Sequence, residues 1–251
     1  MSGHSHWATI RRKKGAQDAK RGQIFTRLAR EIVIAAREGG GDPGTNVRLQ
    51  YAMDRARAQN MPKDNIERAI KRGTGDSKEG NAYEEVVYEG YAPHGIAVLV
   101  SCVTDNRNRA VSEVRHILNR YGGSMAEAGS VAWQFKKVSY FAFPSEGVDT
   151  DKVFELAVEA GADDVTFDDG AVEIVGPLEA FKAIGDALQA GKFHPDEAEL
   201  RFIANNDMEL SVEDTLQVMK VIESLEELDD VQNVFSTLSI SDEAMAQLEE
   251  A

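Results

Sequence analysis

Apolar positions recur at helical spacing three times within the first 75 residues. Over 23–38, Phe25, Leu28, Ile32, Ala35 and Ala36 share one face, while Arg27, Arg30 and Arg37 fall opposite, the pattern of an amphipathic helix. The run from Gly39 to Gly44, with Pro43 inside it, stops that helix. A second helix is expected over 45–59, with Leu49, Ala52, Met53 and Ala56 inward. Pro62 suits the first turn of a third, over 62–72, where Ile66, Ala69 and Ile70 pack, Arg68, Lys71 and Arg72 stay out, and Gly73 ends the run. Three short helices with one apolar stripe each bury those stripes by packing together, so a small bundle is predicted.

Residues 73–81 have linker composition, and after them the period changes from 3.6 to 2. Strands are expected over 84–91 and 96–104 around a Pro93–Gly95 turn, then a helix over 107–120. Val131, Trp133 and Phe135 alternate as a strand would. From 139 to 204 the pattern reads β-α-β-β-α-β, with an Asp169-Gly170 hairpin turn at its middle, which is the ferredoxin-like arrangement. A helix over 211–227, capped by Ser211, and a strand over 231–235 would complete a second α+β domain with the hairpin at 84–104. The expected fold class is α+β: an N-terminal three-helix bundle followed by two α+β, ferredoxin-like domains, one inserted in the other. The domains are 1–75, 82–135 plus 205–240, and an inserted 136–204. The last dozen residues are acidic and expected to fray.

Charge changes this picture. The whole chain carries −15, but residues 1–72 hold 16 basic against 7 acidic side chains, and the rest 12 against 36. Screening over ~8–10 Å at physiological salt lets each part act for itself, so a basic first segment can meet a polyanion within an acidic protein. The candidate nucleic-acid contacts are Trp7, Arg11, Arg12, Lys13, Lys14, Lys20, Arg21, Arg27, Arg30, Arg37, Arg48, Arg55, Lys63, Lys71 and Arg72, with Arg57 beside them. Each cation that neutralises a phosphate releases counterions, giving salt-sensitive affinity. Trp7 has two readings, stacking on a base or pinning the basic arm to the bundle.

Enzyme signatures are absent: there is no Cys-x-x-Cys, His-Glu-x-x-His, Gly-x-Ser-x-Gly or P-loop, and a non-enzyme without cofactor or metal is expected. His4 and His6 in a basic arm, and Asp163, Asp164, Asp168 and Asp169 in two loops, are weak metal candidates; a metal-dependent nuclease built on the acidic loops is the remote alternative. Glu223, Glu226, Glu227, Asp229 and Asp230 form an acidic helix end that could take a basic protein partner. With no apolar run near the ~20 residues of a membrane span, no secretory signal and the single Cys102, a cytoplasmic protein is expected.

Long stretches also resemble a known family. Gly3-His4-Ser5, Trp7, Lys13-Lys14, Lys20-Arg21-Gly22, Phe25, the run Arg30-Glu31-Ile32, and Ala35 to Gly40 are similar to the YebC/PmpR family. So are Asp42-Pro43, Arg48-Leu49 and the whole of Asn60–Gly73. Tyr88-Glu89-Gly90-Tyr91, Thr104-Asp105-Asn106 with Asn108-Arg109, and Gly129-Ser130-Val131 with Trp133 continue the likeness. His6 departs from it, standing where the family usually has Lys. The resemblance implies a bacterial cytoplasmic protein of three domains with no transit peptide. It implies a DNA-binding transcriptional regulator or, alternatively, a ribosome-associated translation factor that relieves stalling through rRNA or tRNA contacts.

Overall fold

The structure is a computed structural model, and it describes residues 18–76, 83–168 and 170–250. It is mixed α+β. Three helices come first: α1 (Asp18–Gly39), α2 (Val47–Ala58) and α3 (Lys63–Gly73). There follow β1 (Glu84–Tyr91), β2 (Ala97–Thr104), α4 (Arg107–Arg120), β3 (Ser124–Met125) and β4 (Phe135–Pro144). Next are α5 (Thr150–Glu159), β5 (Asp164–Asp168), β6 (Ala171–Gly176), α6 (Phe181–Ala190) and β7 (Glu197–Ala204). The chain ends with β8 (Met208–Glu209), α7 (Val212–Glu226), β9 (Val231–Ser236), β10 (Leu238–Ser239) and α8 (Asp242–Glu250). The described residues divide into two compact units, one of 18–30, 83–136 and 204–250, the other of 31–76 and 137–203.

The first unit is built on a four-stranded antiparallel sheet in the order β3-β1-β2-β9. The β1–β2 hairpin runs in register from Glu84 opposite Thr104 to Tyr91 opposite Ala97. Its turn places His94 at φ 62° and Gly95 at φ 78°, and glycine adopts the latter without the Cβ penalty other residues meet. On β2 every residue but Ser101 is buried, as a central strand covered on both faces requires. Val98, Val100 and Cys102 share a core with Leu118 of α4, Val218 and Ile222 of α7, and Met245 and Leu248 of α8. Burial and the nearby Asp230 carboxylate push the Cys102 thiol up to about 12, so it stays protonated as a core residue. The acidic tail therefore departs from the frayed end expected of it: Ala244, Met245 and Leu248 give α8 a buried stripe. Fully burying a Met or Leu contributes about 1.5–3 kcal/mol.

The second unit carries a four-stranded sheet in the order β5-β6-β4-β7, with elements following one another as β-α-β-β-α-β. Its core joins Phe141, Val172 and Ile174 of the sheet to Val153 and Ala157 of α5 and Ile184 and Leu188 of α6. Helix α2 lies against this body. A Cβ on Gly185 of α6 would stand 2.9 Å from Val47, and Tyr51 meets the Phe141 ring edge-on at 6.1 Å. Burial, with Asp186 and Asp54 adding to it, raises the Tyr51 hydroxyl to about 12.

Two local expectations change. Helix α1 begins at Asp18 rather than 23. Residues 132–134 form a 3₁₀ turn, not a strand, and Trp133 is 71% exposed. Alternation over 131–135 is too short to tell a strand from a turn when the turn is fixed by distant partners.

Candidate nucleic-acid interface

The α1–α3 corner is fixed by a few contacts. Asn46 caps α2 by accepting from the Leu49 amide at 3.0 Å, and it donates to the carbonyls of Ala35 at 2.7 Å and Gly40 at 2.8 Å. One side chain thus closes the C-terminal end of α1 and starts α2. A Cβ on Gly73 would lie 2.4 Å from the Val33 carbonyl, so α3 can cross α1 this closely only with glycine there. The run from Asn60 to Gly73 therefore encodes a crossing as well as a helix, with Asn60 itself at φ 59°.

The proposed cations are treated very differently by the fold. Trp7, Arg11, Arg12, Lys13 and Lys14 lie outside the described residues, as do the side chains of Lys20 and Arg21 on α1. Arg27 is half-buried and donates to the Leu228 carbonyl at 3.4 Å. Arg30 is 7% exposed, so it does not stand on a solvent face as the helical pattern predicts. It donates to the Asp229 carbonyl and pairs with the buried Asp230 carboxylate at 2.9 Å, and its guanidinium lies 5.4 Å from the centre of the Tyr83 ring. Arg109 grips the same carboxylate through Nε at 3.1 Å and Nη2 at 2.8 Å, and Thr104 donates to it at 2.9 Å. Thr104 also accepts from the Asn106 amide, and Asn106 caps α4. The Thr104–Arg109 motif thus builds a seat for Asp230.

On the second unit, Arg55 pairs with Glu31 at 3.1 Å and approaches Glu199 at 4.0 Å. Glu31 above all, with Glu199 and Glu197 adding to it, raises the Arg55 pKa still further. Glu199 in turn holds Arg201, whose guanidinium lies 3.8 Å from the centre of the Tyr140 ring. Arg48 pairs with Glu38, Arg57 with Asp54 at 2.7 Å, and Lys63 with Glu67 at 3.5 Å. Arg37, Arg68 and Lys71 are exposed and Arg72 is half-buried. A cavity of about 240 Å³ between α2 and α3 has Met53, Met61, Ile66 and Ile70 as its floor and Arg57 and Lys63 at its rim. Small-molecule sites usually occupy ~300–1,000 Å³, so this groove is small for one. Among the described residues, no group of three His, Cys, Asp or Glu side chains is placed to hold a metal ion, and no helix is long and apolar enough to cross a membrane.

This arrangement can offer a polyanion Arg48, Arg57 and Lys63 only in competition with neighbouring carboxylates, while Arg68 and Lys71 stand exposed on α3. The internal roles of Arg30 and Arg55 escape a reading of the sequence: the partner of Arg30 is Asp230, about 200 positions away, and Arg55 joins Glu31 of the preceding helix and approaches Glu199, about 140 positions on. In the sequence Asp230 stands out only as one acid of a run.

Two family models match successive stretches of the chain. The family model described as "TACO1/YebC protein N-terminal domain" matches residues 5–76, and that described as "TACO1/YebC second and third domain" matches residues 83–238. A "Probable transcriptional regulatory protein" of Acidithiobacillus ferrooxidans is 51% identical over 249 residues, covering 99% of each chain. One from Bifidobacterium longum is 51% identical over 252 residues, covering 100% of both. The crystal structure of a conserved hypothetical protein from Aquifex aeolicus superposes with a TM-score of 0.81 at 39% identity, covering 90% of this chain and 93% of that one. Near-complete coverage by both family models, with relatives at half identity along the full length, places this chain in the TACO1/YebC family.

Proposed function

We propose that the protein is a nucleic-acid-binding regulator, and specifically a DNA-binding regulator of transcription. The observation that carries this reading is the charge of residues 1–30, eight basic side chains against one acidic, in a chain of net charge −15. Such a segment draws a polyanion to itself. Full-length relatives described as probable transcriptional regulatory proteins support the regulatory role. In this reading the first domain, residues 1–75, grips the phosphate backbone through Arg11–Lys14, Lys20 and Arg21. The α+β domain of 82–135 plus 205–240, with a ferredoxin-like domain of 136–204 inserted in it, follows behind. The strongly acidic residues 137–251 are left free for a basic protein partner. The protein works in the cytoplasm and catalyses no reaction.

Crosslinking in cells followed by sequencing of the attached nucleic acid tests the reading. The expected result is enrichment of discrete DNA sites, confirmed as sequence-specific footprints on purified DNA. Recovery of ribosomal or transfer RNA in place of DNA would overturn the transcriptional reading and favour a role in translation.

A further inference from the structure

Trp133 is the most exposed large apolar side chain among the described residues, and the fold holds it there through several bonds. Its mount is the 126–134 loop. The Glu89 carboxylate, only 8% exposed, accepts from the amides of Gly129 and Val131 at 2.6 Å and of Ala132 at 2.8 Å. Burial alone would raise the pKa of that carboxyl, but the three amide bonds outweigh it and hold the value below the ordinary 4.5. Val131 is fully buried, and Asn205 ties down the far side by donating to the carbonyl of Trp133 at 3.0 Å and from its own amide to Gln134 at 2.8 Å. The indole N–H donates to the Ser130 carbonyl at 3.0 Å, which satisfies the ring's one polar atom and fixes its plane. What reaches solvent is a held aromatic face.

We propose that Trp133 is a stacking platform for an unpaired nucleobase, a site in the second domain separate from the basic arm; the proposal rests on the nucleic-acid reading above. Stacking needs only a π-face, and every base has one. The ring's one polar atom is taken by the Ser130 carbonyl, and Asn205 holds the main-chain carbonyl of Trp133, so the exposed part of the ring is left to stack. Charge points the same way. Residues 83–136 hold five basic and six acidic side chains, against five and fifteen in 137–203 and one and thirteen in 204–251. Trp133 therefore sits in the part of the chain beyond the linker that repels a polyanion least. The base must be unpaired because a base within a duplex already has both faces stacked.

The test uses the full chain with Trp7→Phe, which leaves Trp133 as the sole tryptophan of the original two. A thymidine oligonucleotide of about 15 residues, single-stranded or annealed to its complement, is titrated against indole emission. Anisotropy of an end-labelled copy is followed in parallel. Quenching of Trp133 by the single strand, at the midpoint anisotropy gives, is expected, with little quenching by duplex. Trp133→Ala, exposed enough to leave the fold intact, should weaken single-strand binding roughly 5- to 100-fold, and Trp133→Phe should restore most of it. Binding seen by anisotropy with unchanged emission and undiminished Trp133→Ala affinity would overturn the platform while sparing the nucleic-acid reading, and would leave the ring to a protein partner. Equal quenching by duplex would overturn the requirement for an unpaired base. No binding of either form would sink both readings.

Discussion

Residues 1–30 and residues 31–76 carry the same number of basic side chains, eight each, but one acidic side chain against seven. The structure sharpens that contrast. In 31–76, Arg48, Arg55, Arg57 and Lys63 each have a carboxylate partner. In 18–30, Arg30 is sunk against Asp230 and Arg27 reaches the Leu228 carbonyl. Counting cations along the sequence therefore overstates the footprint. A guanidinium already bonded to a carboxylate gains little from a phosphate, since it must give up one anion to take another. The contrast is thus between two kinds of cation, those that hold the fold, Arg30 and Arg55 foremost, and those of the first 21 residues, to which the proposed function assigns the affinity, with the exposed Arg37, Arg68 and Lys71 belonging to neither.

The largest expected effect strikes the first kind. Asp230→Ala would leave Arg30 and Arg109 facing an empty seat, and removing one partner of a buried ion pair costs about 3–5 kcal/mol. Urea unfolding should show that loss, while the salt dependence of nucleic-acid binding by the folded fraction stays unchanged. A loss under about 1 kcal/mol, well below that range, would show that Asp230 is no keystone. Next comes the arm. Neutralising Lys13, Lys14, Lys20 and Arg21 to Gln should weaken duplex binding on the order of 100-fold at moderate salt, with the melting temperature unmoved.

A smaller effect separates the Trp133 mount from both. Because the folded pKa of Glu89 lies below its unfolded value near 4.5, the stability it confers is complete above that value and fades as pH falls through the lower folded one. Emission from Trp133 in the Trp7→Phe chain should hold steady down to about pH 4.5 and shift only below it. In Glu89→Gln, which carries no charge to titrate, that acid shift should be absent. The smallest effect is expected from Arg57→Gln combined with Lys63→Gln. Both are exposed pairs of the kind worth about 0–1 kcal/mol, so stability should barely change and affinity should fall only a few-fold.

Much of this architecture is legible in the sequence because it is local. The helices at 47–58 and 63–73, the hairpin at 84–104 and the Ser211 cap each follow from a periodicity or a capping residue within a few positions. Elements whose stability comes from elsewhere are not legible. Helix α8 reads as an acidic tail because, among its described side chains, only Ala244, Met245 and Leu248 meet the core. The turn at Trp133 reads as a strand because Glu89, 40 positions from Gly129, dictates it. At the candidate interface, the excess of charge can be read directly, but the engagement of Arg30 depends on Asp230, about 200 positions away, and that of Arg55 in part on Glu199, about 140 positions away.

The most direct test of the division into two kinds of cation is a salt titration of nucleic-acid affinity for three proteins: the unaltered chain, the four-fold arm variant and the Arg57→Gln/Lys63→Gln variant. On duplex DNA the slope of log K against log salt falls by about 0.9 for each phosphate that the protein no longer neutralises. The arm variant is expected to give a slope flatter by about 3–4, and the helix variant nearly the original slope. Equal slopes for the unaltered chain and the arm variant, with the flattening seen instead in the helix variant, would contradict the division.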